Sequence, residues 1–281
     1  MKKIASIFLF LFLSILLHAQ DLKVMTFNIR YNNPGDSLNA WPNRKDKLAS
    51  QVLYYAPQLL GVQEALAGQM NDLRERLKQY KSLGVGRDDG KEKGEFSAIF
   101  YDTTRLQVLQ SETFWLSQTP AIIGSKGWDA AITRIVTWAK FRDKKSRKIF
   151  YYFNTHFDHI GKEARRESAK LLLQKVKEIA GATQAIITGD FNATPSDEPI
   201  QIITDKSNPL HLIDSKEISQ TPHYGPAGTF TGFQSKEVSN EPIDHIFLKG
   251  KWKVLNHATI SETWEGRFAS DHFAVLATLS L

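Results

Sequence analysis

The chain of 281 residues contains no cysteine. That excludes a thiol nucleophile, a disulfide framework and a thiolate zinc site, and it removes the acceptor thiol that a bacterial lipoprotein needs. A chain of this length buries enough apolar surface to stand without disulfides, so the lack of cysteine is compatible with export. Internal repeats are missing, as is any Pro/Gly/Ser-rich linker, and the chain reads as one domain. Long apolar runs are missing too, with one exception at the start. MKKIASIFLFLFLSILLHAQ combines Lys2 and Lys3, an apolar run from Ile7 to Leu17 broken only by Ser14, and a short polar exit at His18-Ala19-Gln20. This is the pattern of a secretory signal peptide over residues 1–20, with an apolar core too short to span a bilayer. Residues 21–281 are then the expected mature domain, secreted or periplasmic, with no transmembrane segment.

A large charge of one sign is also lacking. The formal net charge is +6. Without Lys2 and Lys3 it falls near +4, from 34 basic side chains against 30 acidic. A mild basic excess favours anionic partners without demonstrating one, because a solvated basic surface gives the same total. Part of it, Arg142, Lys144, Lys145, Arg147 and Lys148, falls between two strand-like runs and reads as a hairpin turn in water. There is no RNA-binding signature and no dense basic stripe, and nothing in the sequence calls for an obligate protein partner.

Strand and helix signals alternate along the rest. Leu22–Ile29 is β-like. Asn43 is placed to cap a helix through Tyr55, with Asp46 in a capping-box position, Leu48, Val52 and Tyr55 on one face, and Pro57 as a stop. A buried strand is expected at Gln58–Gln63 and a helix at Gly68–Gln79. β-branched and aromatic residues predict strands at Phe96–Tyr101, Leu106–Leu116, Ile132–Phe141 and Lys148–Thr155. Lys162–Ala180 is amphipathic, with Ala169, Leu172, Leu173, Val176 and Ile179 on one side. Ala185–Thr188, Ile243–Leu248 and Phe273–Leu279 complete the β signal. The pattern predicts an α/β sandwich with mixed sheets.

Polar residues stand where several apolar runs end. Glu64 follows one strand, Asp190 and Asn192 another, His156 and Asp158 a third. Open α/β sheets place ligand sites at such ends, where loops converge on a rigid support. Taken singly, each residue is as well explained by a cap, a turn or a structural histidine. As a set they suit a hard divalent cation, since Mg²⁺ (or Mn²⁺) takes carboxylate oxygens and keeps waters for the substrate's phosphate. Glu64 with Asp271 or Asp190 supplies the oxygens, with Asn28 as a neutral amide beside them. Phosphoester cleavage also needs a base and an electropositive cradle, and a histidine held by a carboxylate serves either purpose. His272 and His156 are the candidates.

Six blocks occur in order: Met25-Thr26-Phe27-Asn28-Ile29-Arg30, Gln63-Glu64, Asn154-Thr155-His156-Phe157-Asp158-His159, Gly189-Asp190-Phe191-Asn192, Ile243-Asp244-His245-Ile246 and Ser270-Asp271-His272. Together they resemble the endonuclease/exonuclease/phosphatase family over nearly the whole mature chain. The resemblance implies a four-layer α/β sandwich of two packed mixed sheets flanked by helices, and in-line attack of water on phosphorus. It implies that Glu64 is the principal metal ligand with Asn28 as its hydrogen-bonding neighbour, and that Asp271 lies close to the metal. Asp190 is then the residue that positions or deprotonates the water, and Asn192 holds a phosphate oxygen. Asp244 orients His272, which contacts phosphate or acts as general base. His156 is the second active-site histidine, and Glu95 matches the acid that orients it.

Specificity is less legible. Arg134 lies within a strand-like run and is a candidate to enter the cleft or to form a salt bridge at the sheet edge. Asp158 is a candidate to touch a substrate hydroxyl or to pair with Arg165 or Arg166, the ion pair being favoured, and Arg165 is a candidate for substrate contact. Trp41 and Trp128 are the tryptophans in loop contexts suited to stacking, while His211, His223 and His257 read as surface or structural. The expected partner is a phosphate-ester substrate: a small molecule, a lipid head group or a nucleic acid. A nonspecific nuclease remains open, and so does a silent binding module on the same fold. A metal-free carbohydrate hydrolase using paired carboxylates finds no support in the blocks.

Overall fold

The computed structural model describes residues 21–234 and 240–281, so the expectation of a signal peptide over residues 1–20 lies outside the described residues. In chain order the strands are β1 (Asp21–Asn28), β2 (Leu59–Ala65), β3 (Tyr80–Leu83), β4 (Phe96–Asp102), β5 (Leu106–Trp115), β6 (Ile135–Asp143), β7 (Ile149–His156), β8 (Ala185–Asp190), β9 (Ile213–Asp214), β10 (Asp244–Lys249), β11 (Lys253–Ile260), β12 (Thr263–Trp264), β13 (Arg267–Phe268) and β14 (Ala274–Ser280). The helices are α1 (Trp41–Tyr55), α2 (Ala67–Arg76), α3 (Lys162–Ala180) and α4 (Glu198–Thr204).

One six-stranded sheet runs β11-β14-β1-β2-β4-β3 and a second runs β5-β6-β7-β8-β10-β9. Each has one parallel pair, β1 with β2 and β7 with β8; the remaining pairs are antiparallel. A parallel pair needs a crossover, which α1 supplies in the first sheet and α3 in the second. The sheets face one another across Leu22, Val24, Leu59, Ile99, Phe141, Phe150, Tyr152, Ile186 and Ile246. Helices α1 and α2 cover the outer face of the first sheet, and α3 and α4 that of the second. The expected four-layer sandwich of two packed mixed sheets flanked by helices is therefore the fold. Residues buried on both faces explain why the central strands read as continuous apolar runs.

Helix α3 has the bounds expected, because its apolar stripe at Ala169, Leu172, Leu173 and Val176 packs on the second sheet. The Asp129 carboxylate accepts from the first-turn N–H groups of Glu163 and Ala164, and Gly181 ends the helix at φ 56°. Helix α1 departs from expectation. It starts at Trp41 with Pro42 in its first turn, where a missing N–H costs nothing, and Asn43 is not its cap. Asp46 pairs with Arg76 rather than closing a capping box.

Toward one end the apolar filling between the sheets gives way to polar groups. Asn154 Nδ2 donates to the carbonyls of Val62 and Ala98 on the opposite sheet, both at 2.9 Å, and Gln63 Nε2 donates back to Asn154 Oδ1 at 2.7 Å. Gly61 permits this approach, since a Cβ there would collide with Asn154 Oδ1 and lie 2.7 Å from Thr188 Oγ1. Among the described residues no helix is long and apolar enough to cross a membrane.

Candidate active site

The end where the polar seam lies is the end where β1, β2, β7 and β8 all finish and β10 begins. In the second sheet Asp190 is in register with His156 on one side and with Asp244 on the other. Gly189 permits the close approach of β8 to β7 here, since a Cβ there would run into Thr155 O. Asn28 closes β1 in the first sheet, and Glu64 leaves β2 at φ 64°. Asn192 adopts φ 46°, a left-handed conformation that asparagine tolerates. The Ser270-Asp271-His272 segment enters just before β14, tied down where Ser270 Oγ donates to Asn28 O at 2.7 Å.

Seven of the expected residues converge: Asn28, Glu64, His156, Asp190, Asn192, Asp244 and His272. Asn28 Nδ2 donates to Asp190 Oδ2 at 2.9 Å and to Glu64 Oε1 at 3.1 Å. Asp190 Oδ1 accepts from the Asn192 N–H at 2.8 Å. His156 Nε2 lies 3.4 Å from Asp190 Oδ2, and His272 Nε2 lies 3.7 Å from the same oxygen. His272 Nδ1 is 2.8 Å from Asp244 Oδ2, as expected of an orienting acid, and Thr229 Oγ1 donates to that oxygen at 2.6 Å. Asn192 Nδ2 is 3.0 Å from His156 Nε2 and donates to Phe157 O at 3.1 Å. Glu64 Oε2 accepts from the Tyr31 N–H at 3.0 Å, while Asp271 Oδ2 is 3.7 Å from Arg30 Nε.

The two histidines have opposite electrostatics. Burial works against the charge on His272, but Asp244 and Asp190 outweigh it and hold the imidazole protonated well above its ordinary range. Burial, Arg134 and Arg87 push His156 well below that range, so it is neutral. The Asp190 carboxyl is driven upward by burial and by Asp244, and Asp271 by burial with Glu64 adding to it.

Asn28 stands as the expected hydrogen-bonding neighbour of Glu64: its Oδ1 accepts from the Arg30 N–H at 3.0 Å, so the amide nitrogen faces the two carboxylates and bridges them. Other expectations need correction. Asp158 does not pair with Arg165 or Arg166. Its carboxylate accepts from the N–H groups of Ala131, Ile160 and Gly161 and pairs with Arg134 at 3.5 Å, while Arg165 reaches only its carbonyl at 2.9 Å. A carboxylate this occupied braces the loop after β7. Arg134 is buried rather than lying at a sheet edge, and its Nη2 is 3.0 Å from His159 Nδ1. Glu95 makes no hydrogen bond to His156; Arg87 Nη1 donates to it at 2.6 Å. Trp41 is a core residue bonded to Asp72, not a stacking platform.

Three contributors escaped the sequence. Thr229 fixes Asp244, Arg87 binds Glu95, and the buried Arg44 ties the carbonyls of Ile29, Arg30 and Ala269 together beneath the site. None sits in a motif or on a periodic face, and their partners are remote in sequence.

Metal-binding chemistry fits the cluster. Asp190, Asp244 and His272 offer ligand atoms that all lie within 4.8 Å of one another, with Glu64 joined to them through Asn28. Buried carboxylates whose affinity for protons is raised by their own crowding are relieved by a cation.

With that geometry in place, the likeness to known proteins is informative. Residues 25–272 match the endonuclease/exonuclease/phosphatase family. The chain belongs to this family. It is thereby a hydrolase of phosphate-ester bonds. Its fold matches the structure of an endonuclease/exonuclease/phosphatase from Bacteroides vulgatus at a TM-score of 0.89 and 43% identity, over 93% of this chain and 99% of that one. A mannosyl-6-phosphatase from Bacteroides thetaiotaomicron superposes at a TM-score of 0.88 with 38% identity, over 92% and 100%. The Drosophila melanogaster protein angel is 26% identical over 94% of this chain and 78% of its own length.

Proposed function

We propose that the protein is an exported, Mg²⁺-dependent phosphatase acting on small phosphate monoesters, with a sugar phosphate as the first candidate. The observation that carries this reading is Asp190, set in register between His156 and the Asp244 that holds His272, and bridged by Asn28 to Glu64. A buried carboxylate with raised proton affinity is suited to take a proton from water near neutral pH. Protonated His272 faces the phosphoryl oxygens and offsets their growing charge, while Asn192, whose amide hydrogens go to Phe157 O and His156 Nε2, fixes the His156 side of the cleft. A divalent cation at Glu64 and Asp271 would supply Lewis-acid neutralisation of the phosphate and leave Asp190 beside it as the base. A monoester dianion asks for more positive charge than a diester; His272 places it in the cleft, and Arg134 and Arg87 add their field from behind His156. The sequence likeness to the mannosyl-6-phosphatase supports the same choice.

Purified protein starting at Asp21 would be offered mannose 6-phosphate, glucose 6-phosphate, an aryl diester, single- and double-stranded DNA, and RNA, with Mg²⁺ or Mn²⁺ and with chelator. The expected result is phosphate release from a sugar monoester that chelator and Glu64→Gln abolish. Faster cleavage of nucleic acid would overturn the monoester reading in favour of a nuclease. Chelator-resistant turnover would overturn the metal. A folded protein inert on the whole panel would point to a binding module.

A further inference from the structure

Behind His156, away from Asp190, lies a small cavity bounded by Arg87, Glu95, Ser97, Arg134, Ile135 and His156. The room it leaves for the centre of a water molecule is about 10 Å³, near the least that holds one water. Three buried nitrogens on the residues around it have no hydrogen-bond partner: His156 Nδ1, Arg134 Nη1 and Arg87 Nε. Buried polar groups are rarely left unpaired, and three around one water-sized space call for a common partner.

The neighbouring bonds fix what that partner must do. Asn192 Nδ2 carries two hydrogens; one goes to Phe157 O and the other points at His156 Nε2. An amide nitrogen only donates, so His156 accepts at Nε2 and carries its proton on Nδ1. Arg134 Nη1 is a donor as well. Arg87 Nε is a third, partly compensated by Asp88 Oδ1 at 3.8 Å. The acceptors on the cavity wall are the Glu95 carboxylate, of which Oε2 is engaged by Arg87, and the Ser97 hydroxyl. A water accepts two hydrogen bonds and donates two, which matches two donors, His156 and Arg134, and two acceptors, Glu95 and Ser97.

We propose that this cavity binds one ordered water through which Glu95, Arg134 and Ser97 hold His156 in the Nδ1–H tautomer, with Arg87 as the positioning residue that fixes Glu95. His156 Nε2 is thereby held as the acceptor of the Asn192 amide, beside Asp190. The Glu95 carboxylate acts on the imidazole through the water rather than by direct contact, because Arg87 holds it back. This arrangement is independent of which phosphate ester the enzyme takes.

The test combines a high-resolution crystal structure of the mature protein with ¹⁵N NMR of its histidines, neither of which needs a substrate. Density for one water within hydrogen-bonding distance of His156 Nδ1 and Glu95, together with ¹⁵N shifts showing a protonated Nδ1 and an unprotonated Nε2, is the expected result. Glu95→Gln should move His156 toward the Nε2–H tautomer and lower kcat about 10–100-fold with KM little changed, as expected for an outer-shell partner. Ser97→Val, which puts methyl groups in the cavity, should displace the water and do the same. Direct Glu95–His156 contact, an empty cavity, or an unaltered tautomer in both folded variants would overturn the proposal.

Discussion

Asn28 Nδ2 donates to Asp190 Oδ2 at 2.9 Å, joining residues that end central strands of two different sheets. The same nitrogen reaches the half-buried Glu64, so one neutral amide separates two carboxylates that would otherwise repel. Asn28→Ala removes both bonds and should lower kcat/KM by about 10–100-fold while the protein stays folded. Asn28→Asp inserts a third carboxylate at the same point. It should therefore be the worse of the two, in activity and in melting temperature. An Asn28→Asp enzyme as active as Asn28→Ala would mean that the amide's donor role is unimportant.

Asp158 gives a second prediction. As a substrate contact its loss would raise KM; as a brace its loss would lower stability. Its oxygens accept from four backbone N–H groups, that of Ile132 included, and face Arg134, so Asp158→Asn leaves buried donors facing an amide. The expected cost is about 2–4 kcal/mol, read by thermal or urea unfolding, with KM for the best substrate little altered. Burial opposes the charge on Asp158, but those N–H groups and Arg134 outweigh it and hold the carboxyl below its ordinary value. Its contribution is thus present above the unfolded pKa and is lost as the pH falls through the lower folded one.

How much of this was legible follows the range of each interaction. Helix α3 is written in local periodicity, and its bounds were predictable to the residue. Strand ends bearing Glu64, His156 and Asp190 could be marked because apolar runs stop there. Strand β11, helix α4 and the short β3 carry no comparable local signal and exist through their pairing with β14, packing on the second sheet and pairing with β4. The same holds within the site. The pairing of Asp244 with His272 came only through resemblance to a family, whereas the capture of Glu95 by Arg87 depends on the loop that brings Arg87 N to Glu95 O at 3.1 Å. Nothing in the spacing of those two residues announces it.

His257 should set the pH dependence of stability in a separate window. It is buried, its Nδ1 lies 2.9 Å from His223 Nδ1, and Asp214, Lys216, His223 and His245 act on its charge. Burial chiefly, with Asp214 opposing, lowers its pKa from 6.5 to about 4. The unfolded chain takes up a proton at this residue below about pH 6.5 and the folded one only near 4, so stability falls as the pH drops across that interval. The full loss is about 3 kcal/mol, and His257→Gln should flatten the unfolding free energy between those two pH values. An unchanged slope in that variant would show that another group is responsible.

Metal binding can be read without any substrate. Asp190 and Asp271 are pushed toward protonation by burial, and their near neighbours Asp244 and Glu64 add to it, so a divalent cation should bind the folded state and not the unfolded one. At a concentration one hundred times its dissociation constant the cation stabilises by about 2.7 kcal/mol. For a domain of this size that is a rise in Tm of roughly 5–10 °C. Mg²⁺ and Mn²⁺ should both produce it, and chelator should reverse it. Glu64→Gln should lose most of the rise, because it removes a negative oxygen from the cation's surroundings. Asp190→Asn divides the possibilities further: it relieves repulsion, so its metal-free Tm should increase while its response to Mg²⁺ shrinks. An equal Mg²⁺ response in wild type and both variants would place the cation elsewhere on the protein, and the Asn28-bridged carboxylates would then be a structural pair.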